Sequence, residues 1–226
     1  NLKKGIITGI LRVSKEGMFS EANNIKVYSV CDYKYSTYFG FLETEVKDCL
    51  SLYNLSGKYE DVKKWYDGYL FNRNTIYNPW SILKFLKDLD HRLQVHWANT
   101  GGVDLLRDLI YNVNNASLLN EYHNLLEYGY IKHINLDLHM DLTSLEYSND
   151  TVWTLFMLSG YLTPSEYSDS LKDMTLRIPN LEIRENLKNI CVKWFKDNIK
   201  QGNAFENYFL YNNMEQFKET FERIVL

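Results

Sequence analysis

The chain has 226 residues, 45% hydrophobic and 24% charged, which is ordinary globular usage and argues against disorder. A formal net charge of -4 excludes a global field that would draw nucleic acid, so any such binding needs a local basic patch. Cys31, Cys49 and Cys191 form no C-x-x-C pair, and no apolar run approaches the roughly twenty residues of a membrane span, so the reading is a reduced, cytoplasmic protein with no membrane partner.

The first residue is Asn and the chain enters the apolar stretch Gly5 to Ile10 almost at once, so it is expected to be cut from something longer. Gly5 to Ile10 and Ile25 to Val30 are β-branched runs and are expected to be two strands of a parallel sheet with neighbours upstream. From Glu43 the pattern is helical, with Val46, Cys49, Leu50 and Tyr53 on one stripe, Thr44 as an alternative opening residue and Gly57 as the end. Asp67 to Phe71, the turn Asn72-Arg73-Asn74 and Thr75 to Tyr77 predict a hairpin leading into Pro79, which opens a helix burying Ile82, Leu83, Leu86 and Leu89.

Two further stripes, Leu105 to Val113 and Leu118 to Leu126, predict a helical pair. Val152 to Leu158 is apolar nearly all round, which implies a helix buried on every side. Tyr161 to Tyr167, the turn Ser168-Asp169-Ser170, and Met174 to Ile178 follow it, and helix, strand, turn, strand is the order of a winged helix. Asn180 then opens a helix buried through Leu187, Ile190, Cys191, Trp194 and Phe195, and a last helix carries Met214, Phe217 and Phe221.

The string Ile7 to Lys15 resembles a strand end and loop of the AAA-ATPase-like family of bacterial proteins, many of which carry a PD-(D/E)XK-type nuclease domain further downstream. Tyr38-Phe39-Gly40-Phe41, Trp65-Tyr66-Asp67-Gly68-Tyr69, Tyr77-Asn78-Pro79-Trp80-Ser81, Trp97-Ala98-Asn99-Thr100, and Leu158 to Pro164 with Ile178-Pro179-Asn180 match in the same order. Each block alone is common; the ordered set is specific. The resemblance implies a mainly α chain with small β elements: residues 1–42 as the end of a parallel-sheet α/β ATPase core, 43–130 as a helical lid with a hairpin, and 131–226 as a winged-helix-like region. It implies an intact parent that binds ATP and Mg2+, with an upstream ATPase core and a downstream nuclease domain as partners, acting on or beside nucleic acid. Thr8 and Arg12 would lie near the γ-phosphate in such a parent.

A phosphate loop needs G-x-x-x-x-G-K-[ST], whereas the Gly57-Lys58 pair is followed by Tyr59 and has no upstream Gly. This chain by itself is therefore expected to hold no cofactor and carry no catalytic residue, and the alternative function is a non-enzymatic interaction module. Trp65, Tyr66, Asp67 and Gly68 form an aromatic-flanked acidic turn suited either to meeting a partner or to satisfying local backbone groups. Arg177 and Lys188 are the candidate phosphate contacts around the wing, although Glu166, Asp169, Asp173, Glu182 and Glu185 interleave with the basic residues there as on a solvated mixed face. His133, Asn135, Asp137, His139 and Asp141 alternate like metal ligands, but a half-buried strand gives the same alternation, so no metal is expected.

Overall fold

A computed structural model describes residues 6, 8, 9, 26–97, 116–138 and 148–198. The first helix, α1, runs Glu43–Leu52 and buries Val46 and Leu50, one turn apart. It opens at Leu42 rather than Thr44, because the Glu45 carboxylate reaches back to accept the Leu42 N–H at 2.7 Å. It ends at Leu52, and Gly57 lies beyond it in the 3-10 turn Ser56–Lys58 that leads into α2, Tyr59–Tyr66.

The hairpin forms as expected, with β1 (Tyr69–Phe71) antiparallel to β2 (Asn74–Ile76) and Asn72 in the left-handed region at the turn. Pro79 then occupies the first position of α3 (Pro79–Lys87), where its missing N–H costs nothing, and the Asn78 side chain accepts the Trp80 N–H at 3.0 Å. The buried face of α3 is Ile82, Phe85 and Leu86. Leu83 sits 100° off that face and is exposed, and Leu89 falls past the end of the helix, where Asp88 is already extended. These side chains close a first core with Val46, Leu50, Val62, Tyr66 and Tyr77.

The second core is built from α4 (Ala116–Tyr128), β3 (Tyr130–Ile134), α5 (Asn149–Leu158), β4 (Thr163–Pro164), β5 (Met174–Arg177) and α6 (Leu181–Asn198). The three strands make one antiparallel sheet in the order β3-β5-β4. Met174 and Leu176 point into the core from β5, as the alternation predicts. Every residue from Val152 to Met157 is buried, so α5 is covered on all sides. β1 ties this layer to the rest: Tyr69 lies in the second core, and the Leu70 N–H donates to Thr163 Oγ1 at 2.8 Å.

The expected parallel strands are not seen among the described residues. Lys26 to Ser29 carry no strand, with Val27 and Tyr28 each 40% exposed, and Ile6 is 90% exposed. An apolar run has nothing to pair with unless neighbouring strands cover both faces. The following segment leans on the hairpin instead, through the Asn72 N–H to Val30 O at 2.9 Å and the Phe41–Tyr77 bridge. The ladders seen are antiparallel, in a mixed α/β fold with small sheets. The Leu105 to Val113 stripe, Trp194 and Phe195 as packing residues, and the last helix lie outside the described residues.

Candidate functional site

α2 stops at Tyr66 because Asp67 turns extended and Gly68 takes φ +106, a conformation that L side chains rarely adopt. The turn needs glycine for a second reason: a Cβ on Gly68 would stand 2.1 Å from the Pro179 carbonyl oxygen. The Trp65 to Tyr69 turn is thus pressed against Ile178-Pro179-Asn180. Arg177, leaving β5, donates from Nη2 to Gly68 O at 2.8 Å and from Nη1 to Pro179 O at 3.2 Å. Asn180 donates from Nδ2 to Asp67 O at 2.8 Å, while its Oδ1 accepts the Ile183 N–H at 3.0 Å and so caps α6.

Glu182, in the first turn of α6, extends the same contact. Its side chain is fully buried and pairs with no cation among the described residues. Oε2 accepts from Ser81 Oγ at 2.6 Å, and Oε1 accepts the backbone N–H of His96 at 2.7 Å and of Trp97 at 3.0 Å. Trp97 is held from its other side, its ring centroid 5.0 Å from that of Tyr161 and its edge against Gly160. Residues from α3, the loop after it, the end of α5 and the start of α6 therefore meet at one buried point.

Burial dominates the electrostatics here. It pushes the Glu182 carboxyl up, against the opposing pull of Ser81 and the two backbone donors. It also pushes the Asp67 carboxyl up, against the Gly68 N–H, and pulls the Arg177 guanidinium down. Asp67 Oδ1 is buried with no hydrogen-bond partner. The hydroxyls of Tyr69 and Tyr161 and Nε2 of His96 are likewise buried without a hydrogen-bond partner among the described residues. The hydrogen bonds of Arg177, Asn180 and Glu182 join the two cores with directional contacts that fix their register.

The sequence-nominated residues separate into groups. Tyr66 is buried, its hydroxyl donating to Gln94 O and accepting from Gln94 N, both at 3.1 Å. Trp65 is half-buried beside the first core, and Asp67, Gly68 and Arg177 belong to the joint. Lys188 stands apart, paired with Glu185 at 3.1 Å. Thr8 is exposed, and Arg12 lies outside the described residues. Glu182 is not on a solvated face as the charge pattern suggests; the whole side chain is inside. The signal that could have found it is its spacing, since Glu182 and Asn186, one turn apart, each precede a buried apolar position, Ile183 and Leu187.

The alternating His and Asp set does not stay on one strand face, because β3 ends at Ile134 and His133 takes φ +63 at an irregular register. His133 Nδ1 instead lies 2.7 Å from Asp173 Oδ1 on the surface, and His139 and Asp141 lie outside the described residues. Among the described residues no three His, Cys, Asp or Glu side chains converge as a metal site would require.

Fold and site together define a mixed α/β protein in which two cores are locked through a buried polar joint. No family model matches the chain. It is 26% identical over 190 residues, 83% of its length, to a protein described as an uncharacterized protein in the vnfD 5′ region of Azotobacter chroococcum mcd 1. The matched stretch is 34% of that protein, so the chain spans about a third of this relative. No solved structure matches. No helix among the described residues is long and apolar enough to cross a membrane.

Proposed function

We propose that this chain is the helical lid and winged-helix-like part of an AAA-ATPase-like protein, and that within it the chain transmits movement and performs no bond chemistry. The observation that carries this reading is where the motif blocks go. Gly68 of the Trp65 to Tyr69 block, Ser81 of the Tyr77 to Ser81 block, Trp97 of the Trp97 to Thr100 block, and Gly160, Tyr161, Pro179 and Asn180 of the last meet at the buried joint. Blocks that are far apart in sequence but converge on a rigid contact are what a relay requires, since displacement passes through a body only if its parts do not slip.

The strand order β3-β5-β4, with β4 and β5 joined through the wing-like segment after α5, supports the winged-helix reading of the second core. The described residues do not fit a triphosphate. Lys58 of the Gly57-Lys58 pair sits in a 3-10 turn and directs its ammonium to His91 O at 3.2 Å, and Thr8 is exposed. ATP and Mg2+ belong, on this reading, to an upstream core, and no step through them is assigned to these residues.

Two measurements test the proposal. The gene sequence preceding Asn1 should encode G-x-x-x-x-G-K-[ST]; its absence there ends the ATPase reading. A fluorescent ATP analogue titrated into the longer protein should bind, and titrated into this 226-residue chain should not.

The second reading, an interaction module, is favoured by one surface and disfavoured by another. Helix α5, at the position of a recognition helix, has Asp150 as its single charged residue and is buried through its centre, so it offers nothing to a DNA groove. A different face, around Tyr128 and Tyr130, presents exposed aromatic and basic groups.

A further inference from the structure

Away from the joint, an open depression of about 350 Å3 is lined by Lys64 of α2, Gly129 between α4 and β3, and Ile178, Asn180, Leu181 and Arg184 around the start of α6. Its two cations reach it from different elements. Lys64 is exposed and has no ion-pair partner among the described residues. Arg184 is half-buried and, among the described residues, makes one long bond, Nη2 to Leu126 O at 3.4 Å. A Cβ built on Gly129 would meet nothing within 4 Å, so the space above this backbone is open.

Gly129 is flanked by two tyrosines that do not turn inward. Tyr128 is 59% exposed and Tyr130 41% exposed, with ring centroids 6.4 Å apart and planes inclined at 43°. Lys132 Nζ lies 5.3 Å from the Tyr130 ring centroid. Of the nearby acids, Glu182 faces the interior toward Ser81 and Glu185 is paired with Lys188, whereas Glu60 and Asp61, one turn before Lys64 on α2, are exposed. Glu127 is a further opposing charge, and its carboxylate holds the Tyr128 hydroxyl above its ordinary pKa.

We propose that this face binds a single-stranded nucleic acid, with a backbone phosphate between Lys64 and Arg184 and neighbouring bases stacked on Tyr128 and Tyr130. Cations that grip phosphate beside exposed rings that accept any base are the two parts of sequence-tolerant strand binding. A single strand fits better than a duplex because its bases are free to splay onto inclined rings, and because α5 is not presented to a groove. The inference does not depend on the ATPase reading, which would stand or fall on the upstream sequence alone.

The test is fluorescence anisotropy of a labelled deoxythymidine oligonucleotide, alone and annealed to its complement, with the 226-residue chain at several salt concentrations. The single strand should bind more tightly than the duplex. Lys64→Ala should weaken binding and lower the slope of log affinity against log salt by about 0.7, the value for one phosphate contact on a single strand. Tyr128→Ala with Tyr130→Ala should weaken it about tenfold at an unchanged slope, as loss of stacking does. Glu127→Gln should tighten it. These are surface side chains, and circular dichroism of each variant is the check that it folds. No binding at low salt, equal affinity for strand and duplex, or wild-type affinity in the Lys64 or tyrosine variants overturns the proposal.

Discussion

Ser81 Oγ donates to Glu182 Oε2 at 2.6 Å although 101 residues separate them, and this bond spans the line between the first core and the second. Glu182 is the sole acceptor recorded for three donors at this point, Ser81 Oγ and the N–H groups of His96 and Trp97. Glu182→Ala would leave them buried and unpaired. The expected loss is about 3 kcal/mol, since each unsatisfied buried donor costs about 1–3 kcal/mol and the loop can regain part of that in water. Urea denaturation measures it, and a change below about 0.5 kcal/mol, the ordinary size of a surface substitution, would show that the bond does not hold the cores together.

Glu182→Gln keeps an acceptor oxygen for the backbone donors and removes the charge, which makes it a test of pH dependence. Burial raises the folded-state pKa of Glu182 above its ordinary 4.5. Stability from such a group is fully present below pH 4.5 and is lost as pH rises through the raised folded value. The wild type should therefore lose ground against Glu182→Gln as pH is raised from 4.5 toward neutrality, and Asp67→Asn should behave alike from 3.8 upward. Unfolding free energies collected across this range are the measurement. A difference between wild type and the Gln variant that stays constant with pH would mean that the carboxyl titrates alike in both states.

Gly68 and Gly57 make a matched pair. At Gly68 an added methyl meets Pro179 O at 2.1 Å with φ at +106, whereas at Gly57 it meets nothing within 4 Å and φ is not in the left-handed region. Gly68→Ala should cost about 3 kcal/mol or more, because backbone strain and displacement of the Pro179 carbonyl add. Gly57→Ala should lie within about 0.5 kcal/mol of wild type. Thermal melts of the two variants side by side decide the matter, and equal midpoints would remove the argument that the turn is pressed against Pro179.

Much of the second core was legible because its signals are local. The unbroken apolar run of α5, the alternation of Met174 and Leu176, and Asn180 ahead of α6 each follow from a period or a cap read over a few residues. The joint was only half legible. Asp67-Gly68 announces a turn, but nothing nearby in sequence says that Pro179 will lie against it, since that contact is set by the packing of distant elements. Glu182 was misread for the same reason: an acid among lysines and arginines looks solvated until Ser81 and the loop after α3 fold over it. Thr44, Gly57 and Leu83 show the limit at element ends: Glu45 sets the start of α1 at Leu42, the helix stops at Leu52 well before Gly57, and a stripe drifts off its face at Leu83.

Arg177 separates two roles that the sequence alone left open, a phosphate contact at the surface or a tie inside the fold. Its guanidinium donates to Gly68 O at 2.8 Å and Pro179 O at 3.2 Å, the residue is half-buried, and burial pulls its pKa down. Arg177→Ala should cost about 3 kcal/mol, the loss of charge-assisted bonds from buried carbonyls. Arg177→Lys should recover less than half of this, because one ammonium does not reproduce the planar fork that reaches both oxygens. Lys188→Ala, which removes a partner only from Glu185, should be nearly silent. Chemical denaturation of the three variants is read together with oligonucleotide binding: a tie predicts lost stability with an unchanged salt slope, whereas a phosphate contact predicts unchanged stability and a slope lower by about 0.7.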